Sequence, residues 1–288
     1  MKIWLVYREE DCLKNEWYIK QYIIEGETLG IEVSLVLTKD LILGIDKTCY
    51  VQWVGHENEI PDAAIIRTID PKLSYHFEMA GIRTFNRATI SRMCNDKAIT
   101  YQKVSQLGVN SIPTLICKRE LLQQTMNKVK LPVVIKTVDG HGGQEVFLVR
   151  SNTDETINNI QNSTTSDFVI QPLVGKKHQD LRVYVLGKQI LCCILRTSQG
   201  EFKANYSLGG TVCSYELTKE NHRTVMTIVQ AFDFDLVGID FIIGDDNSLI
   251  FNEIEDVVGA RMLYQCTNIN LVAIYLHYVK ENIEKSYK

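Results

Sequence analysis

The stretch Val133–Val149, VVIKTVDGHGGQEVFLV, sets a lysine and a glycine-rich turn between two apolar runs that read as β-strands. A two-residue Asn-Gly or Asp-Gly turn would be enough to close such a hairpin. This connection instead uses Gly140, Gly142 and Gly143, with Lys136 at its entry. Its plain reading is a surface turn, since Asp and Gly clusters often join strands. The other reading is a phosphate-covering flap. Glycines let backbone N–H groups come close to an anion and reach positive φ, and a lysine at a strand end places an ammonium on a phosphate oxygen. A Walker loop is excluded, because G-x-x-x-x-G-K-[ST] is absent and no helix opens directly behind the turn.

Around this segment lies a chain of 288 residues, long enough for two or three lobes with a cleft between them. Its 45% hydrophobic and 23% charged residues are those of a folded globular protein. Lys plus Arg number 31 against 35 Asp plus Glu, and the resulting charge of −4 gives no general attraction for nucleic acid or anionic lipid. Eight cysteines without C-x-x-C spacing fit reduced thiols. The apolar run in MKIWLVYREE is too short for a signal peptide, and no stretch approaches the ~20 apolar residues of a membrane span. A cytoplasmic protein with no membrane or nucleic-acid partner is expected.

N-terminal to the hairpin, KIWLVY reads as a strand, Asn15 to Leu29 as a helix stopped by Gly30, and IEVSLVL as a second strand. DAAIIRTI (Asp62–Ile69) follows, and Pro71 opens a helix running to Gly81. This is a small parallel-sheet domain, and it lacks the G-x-G-x-x-G of dinucleotide binding. A single helix is expected from Ser91 to Leu107. Beyond the hairpin come a helix from Thr153 to Asn162, three strand-like runs (FVIQPLV, LRVYVLG, QILCCILRT) and a helix from Thr218 to Phe232. The pair VGIDFIIG and SLIFNEIE precedes a long amphipathic helix, Gly259 to Lys285, interrupted near Asn268.

Acidic residues cluster in that last strand pair. Glu253 and Glu255, at i and i+2, project from one face, with Asn252 and Ile254 on the other. They are either a solvated edge or, with Asp240 inside an apolar run, ligands of a cation. A buried unpaired carboxylate is costly, and hard oxygen ligands suit Mg²⁺ held against nucleotide phosphates. In DLRVYV, Asp180 and Arg182 share a face. Arg196 follows an apolar run, and FKANYSLGG adds Lys203 and Asn205. Structural ion pairs would account for these charges, and so would an anionic ligand. Zinc spacing and a G-x-S-x-G serine are both absent.

Taken in order, NDKAITYQKVSQLGV, VVIKTVDGHGGQEV, QPLV, DLRVYV, KANYSLGG, GIDF and NEIEDVVGARML resemble the ATP-grasp superfamily, most closely the RimK-like branch of ribosomal-S6 glutamate ligases and LysX. The likeness spans nearly the whole chain, including IIRTID and FEMAGIRTFN. It implies an α/β and α+β ATP-grasp fold of three lobes. Residues 1–90 would form an N-terminal pre-ATP-grasp domain with a parallel sheet. Residues 91–168 would form the central lobe with the flap, residues 169–288 the C-terminal lobe with the metal site, and ATP would lie between the last two. By the same resemblance, Lys97 and Lys136 contact phosphates and the turn Gly140, Gly142, Gly143 folds over them. Gln171 and the backbone of Pro172, Leu173 and Val174 read adenine, and Asp180 binds ribose. Lys203 reaches the terminal phosphate, and Arg182, Arg196 and Asn205 line the acyl-phosphate site. Asp240 and Glu253 bind Mg²⁺, with Mn²⁺ as an alternative. Glu255 stands where the family usually has Asn, and the loop with Arg261 departs from the usual N-x-x-P-G. Arg67 and Arg261 are candidate contacts for a substrate carboxylate.

The activity implied is ATP-dependent ligation of a small-molecule or peptide carboxylate to an amine through an acyl phosphate. An ATP-grasp phosphotransferase acting on a hydroxyl and a catalytically silent ATP-binding regulator stand as alternatives. Self-association through the first lobe or the final helix stays open.

Overall fold

The computed structural model describes residues 1–143, 145–151, 153–175, 178–198 and 211–286. Lys203 and Asn205 therefore lie outside the described residues. The chain forms two compact units: residues 1–92, 234–237 and 256–288 make the first, and residues 93–233 and 238–255 the second. Residues 256–288, assigned from sequence to the C-terminal lobe, thus pack with the N-terminal segment.

The first unit contains β1 (Lys2–Tyr7), α1 (Glu9–Thr28), β2 (Glu32–Leu37), β3 (Leu41–Asp46), β4 (Thr48–Trp53), β5 (Ala63–Ile66), α2 (Pro71–Met79), β6 (Arg83–Phe85) and most of α3 (Ala88–Cys94). Its sheet is parallel, in the order β2-β1-β5-β6. Every residue of β1 from Ile3 to Tyr7 and all of β5 are buried, as expected of central parallel strands covered on both faces. On one face Trp4, Val6, Ala64 and Ile66 meet Leu73 and Phe77 of α2. Gly30, at φ +66, ends α1 as its sequence position predicts. Asp70 caps α2 by accepting hydrogen bonds from Lys72 N and Leu73 N, with Pro71 at the first helical position. The β3–β4 hairpin, Leu41 paired through to Trp53, was not read from the sequence.

The second unit runs through α4 (Lys97–Ser105), β7 (Leu115–Cys117), α5 (Leu122–Met126), β8 (Val133–Thr137), β9 (Val146–Val149), α6 (Asp154–Asn162), β10 (Phe168–Pro172), β11 (Gln179–Leu186), β12 (Gln189–Thr197), β13 (Thr211–Ser214), α7 (Lys219–Ala231), β14 (Leu236–Ile243, its first two residues in the other unit) and β15 (Leu249–Glu255). The helix expected from Ser91 to Leu107 is two helices. Asp96 separates α3 from α4 and caps the latter through Ile99 N at 3.0 Å. A four-stranded antiparallel sheet, β7-β10-β8-β9, buries Val133, Ile135, Phe168 and Ile170 against Leu122, Met126, Ile157 and Ile160 of α5 and α6. A five-stranded sheet runs β13-β12-β11-β14-β15. The chain closes with α8 (Arg261–Cys266) and α9 (Leu271–Ser286), whose break at 267–270 is the interruption expected near Asn268. Among the described residues no helix is long and apolar enough to cross a membrane.

Candidate active site

Period-2 alternation builds the site on β8. Val133 and Ile135 enter the hydrophobic core, so Val134 and Lys136 face the other way, into a cavity of about 570 Å³ within the second unit. From the sequence-selected residues this cavity gathers Lys97, Lys136, Gly140, Gly142, Gly143, Gln171, Pro172, Leu173, Val174, Asp180, Glu253 and Glu255. Ile112, Val134 and Ile242 supply apolar wall, and Arg150 and His178 also reach it. Gln171 is buried and donates Nε2 to Thr114 Oγ1 at 2.8 Å.

Sterics account for the glycines of the turn. A Cβ on Gly140 would stand 2.1 Å from Thr137 Oγ1 and 2.8 Å from Glu145 Oε2, and those two side chains clip the turn through a hydrogen bond of 2.8 Å. Gly142 and Gly143 have φ of +63° and +73°, where a side chain is strained. Lys97 holds the turn from α4: its backbone N bonds Val138 O at 2.8 Å, and its Nζ donates to Gly140 O.

Asn252 corrects the sequence reading. Strict alternation puts it on the face opposite Glu253, yet its Oδ1 accepts from Lys136 Nζ at 2.8 Å and it lines the same cavity. The cause is a β-bulge. Asp240 pairs with Glu253 but Phe241 pairs with Phe251, leaving Asn252 as the extra residue on β15 and breaking the period. Tyr101 Oη fixes the bulge by donating to Asn252 O at 2.6 Å.

Beside the cavity, charges run across four strands. Arg182 grips Asp240 with two hydrogen bonds, Nε to Oδ1 at 2.8 Å and Nη2 to Oδ2 at 2.7 Å, and its Nη2 also lies 2.7 Å from Glu255 Oε1. Arg196 joins Asp180 to Asp240, the latter at 2.7 Å. Arg182, Arg196 and Asp240 are almost fully buried and do not line the cavity. Arg182 and Arg196, which the resemblance assigns to an acyl-phosphate site, are thus not among the residues that line this cavity. The charge of Asp240 is met by two guanidiniums of the protein itself. Although burial works against ionisation, the two guanidiniums hold its carboxyl well below the usual range. Burial pushes Glu255 up to about 7, against the pull of Arg182 and with the charge of Asp240 adding to the rise. Burial likewise pushes Lys136 down to about 8, opposed by Glu253 and reinforced by Lys97.

Oxygens of Asp240, Glu253 and Glu255 come within 4.8 Å of one another. Three carboxylates this close together make the hard oxygen donor set that a divalent cation takes.

A RimK-like ATP-grasp domain model matches residues 94–279. The chain belongs to the RimK-like ATP-grasp family. The glutamate–LysW ligase ArgX of Sulfurisphaera tokodaii is 27% identical over 78% of this chain and 83% of its own length. Human N-acetylaspartylglutamate synthase A is 28% identical over 76% of this chain and 59% of its own. The VanG D-Ala:D-Ser ligase of Enterococcus faecalis superposes at a TM-score of 0.75, covering 97% of this chain and 98% of its own. At 14% identity this likeness concerns the fold alone. The α/β and α+β ATP-grasp architecture expected from sequence is therefore found.

Two sequence candidates, Arg261 and Arg67, fall in the first unit and are not among the residues that line this cavity. Arg261 is exposed and donates Nη2 to Lys14 O at 2.7 Å. Arg67 is buried and donates Nη2 to Val258 O at 3.0 Å. Besides Asn252, sequence reading missed Arg150 and His178, which carry no motif of their own.

Proposed function

We propose that this RimK-like ATP-grasp protein is a Mg-ATP-dependent carboxylate–amine ligase that joins a small-molecule or peptide carboxylate to an amine through an acyl phosphate. The observation that carries the reading is convergence: two lysines and three carboxylates meet around one cavity of about 570 Å³, a volume suited to a nucleotide. The relatives compared above are named as a ligase and a synthase, which favours bond formation.

In this reading Gln171 and the Pro172–Val174 backbone orient adenine between Ile112, Val134 and Ile242, and Asp180 takes a ribose hydroxyl. Lys97 and Lys136 draw the phosphates toward the acids, while the glycine turn offers peptide N–H groups and keeps water from the reacting phosphate. Asp240, Glu253 and Glu255 would hold Mg²⁺, or Mn²⁺, after Glu255 has lost its proton. When bound, the metal neutralises phosphate charge so that a carboxylate can approach; two unit charges at ~4 Å repel by about 4 kcal/mol at an effective dielectric of 20. Arg182 and Arg196 fix Asp240 in place from behind. Lys203 and Asn205, assigned to the terminal phosphate and acyl site by resemblance, receive no structural role here.

The test is ADP release with Mg²⁺ and hydroxylamine over mixtures of small carboxylates, amino acids and short peptides. A hydroxamate formed with a carboxylate supports the ligase. ADP released only with hydroxylated acceptors and no hydroxamate indicates a phosphotransferase. ATP binding without any ADP release indicates a silent regulator. A second expectation concerns the turn: Gly140→Ala inserts a methyl group where Thr137 Oγ1 already stands, at a cost of about 1–3 kcal/mol of local overpacking. The KM for ATP should rise roughly tenfold with the fold retained, as followed by ADP release and circular dichroism. An unchanged KM would remove the turn from the nucleotide site.

A further inference from the structure

The first unit contains a second polar cluster that the cavity does not use. Its parallel sheet runs β2-β1-β5-β6, so the chain proceeds in opposite directions from β1 and from β5. The carboxyl ends of these neighbours, Tyr7 and Ile66, border a switch point, the place where open parallel sheets leave a crevice for ligands. Arg67 follows immediately, its backbone N held by Val6 O at 2.8 Å.

Arg67 is 8% exposed, yet no carboxylate pairs with it among the described residues. Its Nη2 donates to Val258 O, its Nε has no partner among the described residues, and its Cζ lies 5.4 Å from the centre of the Tyr18 ring. Tyr7, Tyr22 and Tyr18 crowd the guanidinium. The hydroxyls of all three are buried without a hydrogen bond of acceptable geometry, and Thr68 Oγ1 beside them is in the same state. An uncompensated buried guanidinium is strongly unfavourable, and each orphaned hydroxyl adds to that burden. Surface polarity does not explain such a group, and neither does core packing, which methionine would serve better.

We propose that Arg67, with the phenols of Tyr7, Tyr18 and Tyr22, binds the carboxylate of a small-molecule substrate. A carboxylate accepts two parallel N–H bonds from a guanidinium fork and O–H bonds from phenols, so one ligand group would satisfy the whole cluster. As a substrate anchor, the assignment rests on the ligase reading; as an anion site, it stands on these residues alone.

The test measures the melting temperature of the full chain with acetate, glutarate, L-aspartate, L-glutamate and inorganic phosphate. At least one carboxylate should raise it in the wild type, and Arg67→Gln should lose that response, with an apparent affinity about ten- to hundredfold weaker. Tyr7→Phe and Tyr22→Phe guard against misfolding, because each removes only a hydroxyl that makes no hydrogen bond of acceptable geometry. Both should fold as well as wild type and each should weaken carboxylate binding several-fold. A response to phosphate alone, a response that survives Arg67→Gln, or no response in the wild type overturns the proposal. So do phenylalanine variants that bind as tightly as wild type. The two readings fail separately. ADP release with an unchanged carboxylate KM in Arg67→Gln sinks the anchor and leaves the ligase. Arg67-dependent carboxylate binding without ADP release under any mixture leaves the site and sinks the ligase.

Discussion

Lys136→Met is expected to stop ADP release and to raise the melting temperature of the same protein. Lys136 sits at the end of β8, facing the cavity, where burial has brought its ammonium down from 10.5 to about 8. The folded state therefore disfavours the charged form relative to the unfolded chain. The penalty is fully present below pH 8, is relieved as pH rises above it and is gone near the unfolded value of 10.5, where neither state carries the charge. A gap of this size corresponds to about 1–3 kcal/mol after allowing for the partial exposure of the side chain. Methionine keeps the stem and removes the charge, so its gain should be largest at neutral pH and shrink in alkaline buffer. ADP release should fall about 10²- to 10³-fold, the effect of deleting one preorganised charge from a phosphoryl site. Thermal unfolding at neutral and alkaline pH, beside a coupled ADP assay, reads both. Near-wild-type turnover would remove Lys136 from the phosphate site, and a lower melting temperature at neutral pH would refute the burial penalty.

Asp240→Asn is expected to have the opposite effect on stability. Three hydrogen bonds from Arg182 and Arg196 end on this carboxylate, and all three residues are almost fully buried. Asparagine keeps the shape but leaves two guanidiniums facing each other across a neutral amide. Breaking a buried charged network by removing one partner costs about 3–5 kcal/mol, because the remaining charges stay desolvated. Urea unfolding should show a loss of that order with an unchanged slope. By contrast, Glu16→Gln, which breaks the exposed pair with Lys20, should change little. If Asp240→Asn were as mild as Glu16→Gln, the guanidiniums would be solvated and the charge ladder would not be a buried unit.

Sequence patterns single out most of the polar residues that line the cavity, because those features are local. Gly140, Gly142 and Gly143 lie within four residues, and Lys136, Asp240 and Glu253 each sit in a short apolar run whose alternation fixes a face. What stayed hidden depends on partners far along the chain. The bulge at Asn252 exists only by reference to β14, so a strict period of two misplaced that side chain. Asp240 looked unpaired because its arginines lie 44 and 58 residues away. Asp96 reads as an ordinary residue inside a helix, because the bond it accepts from Ile99 N leaves no mark on the apolar pattern. The β3–β4 hairpin escaped because Gly44 interrupts its apolar pattern; the Tyr50 ring fills the space a side chain there would need.

The division of the chain into units also has a temporal consequence. α1 packs against α9, and residues 256–288 belong to the same compact unit as the sheet made by the first ninety residues. A ribosome delivers β1, β2 and β5 well before α9, and most of the ATP-grasp segment emerges between them. During translation those apolar strands therefore wait for residues far along the chain before their unit can close.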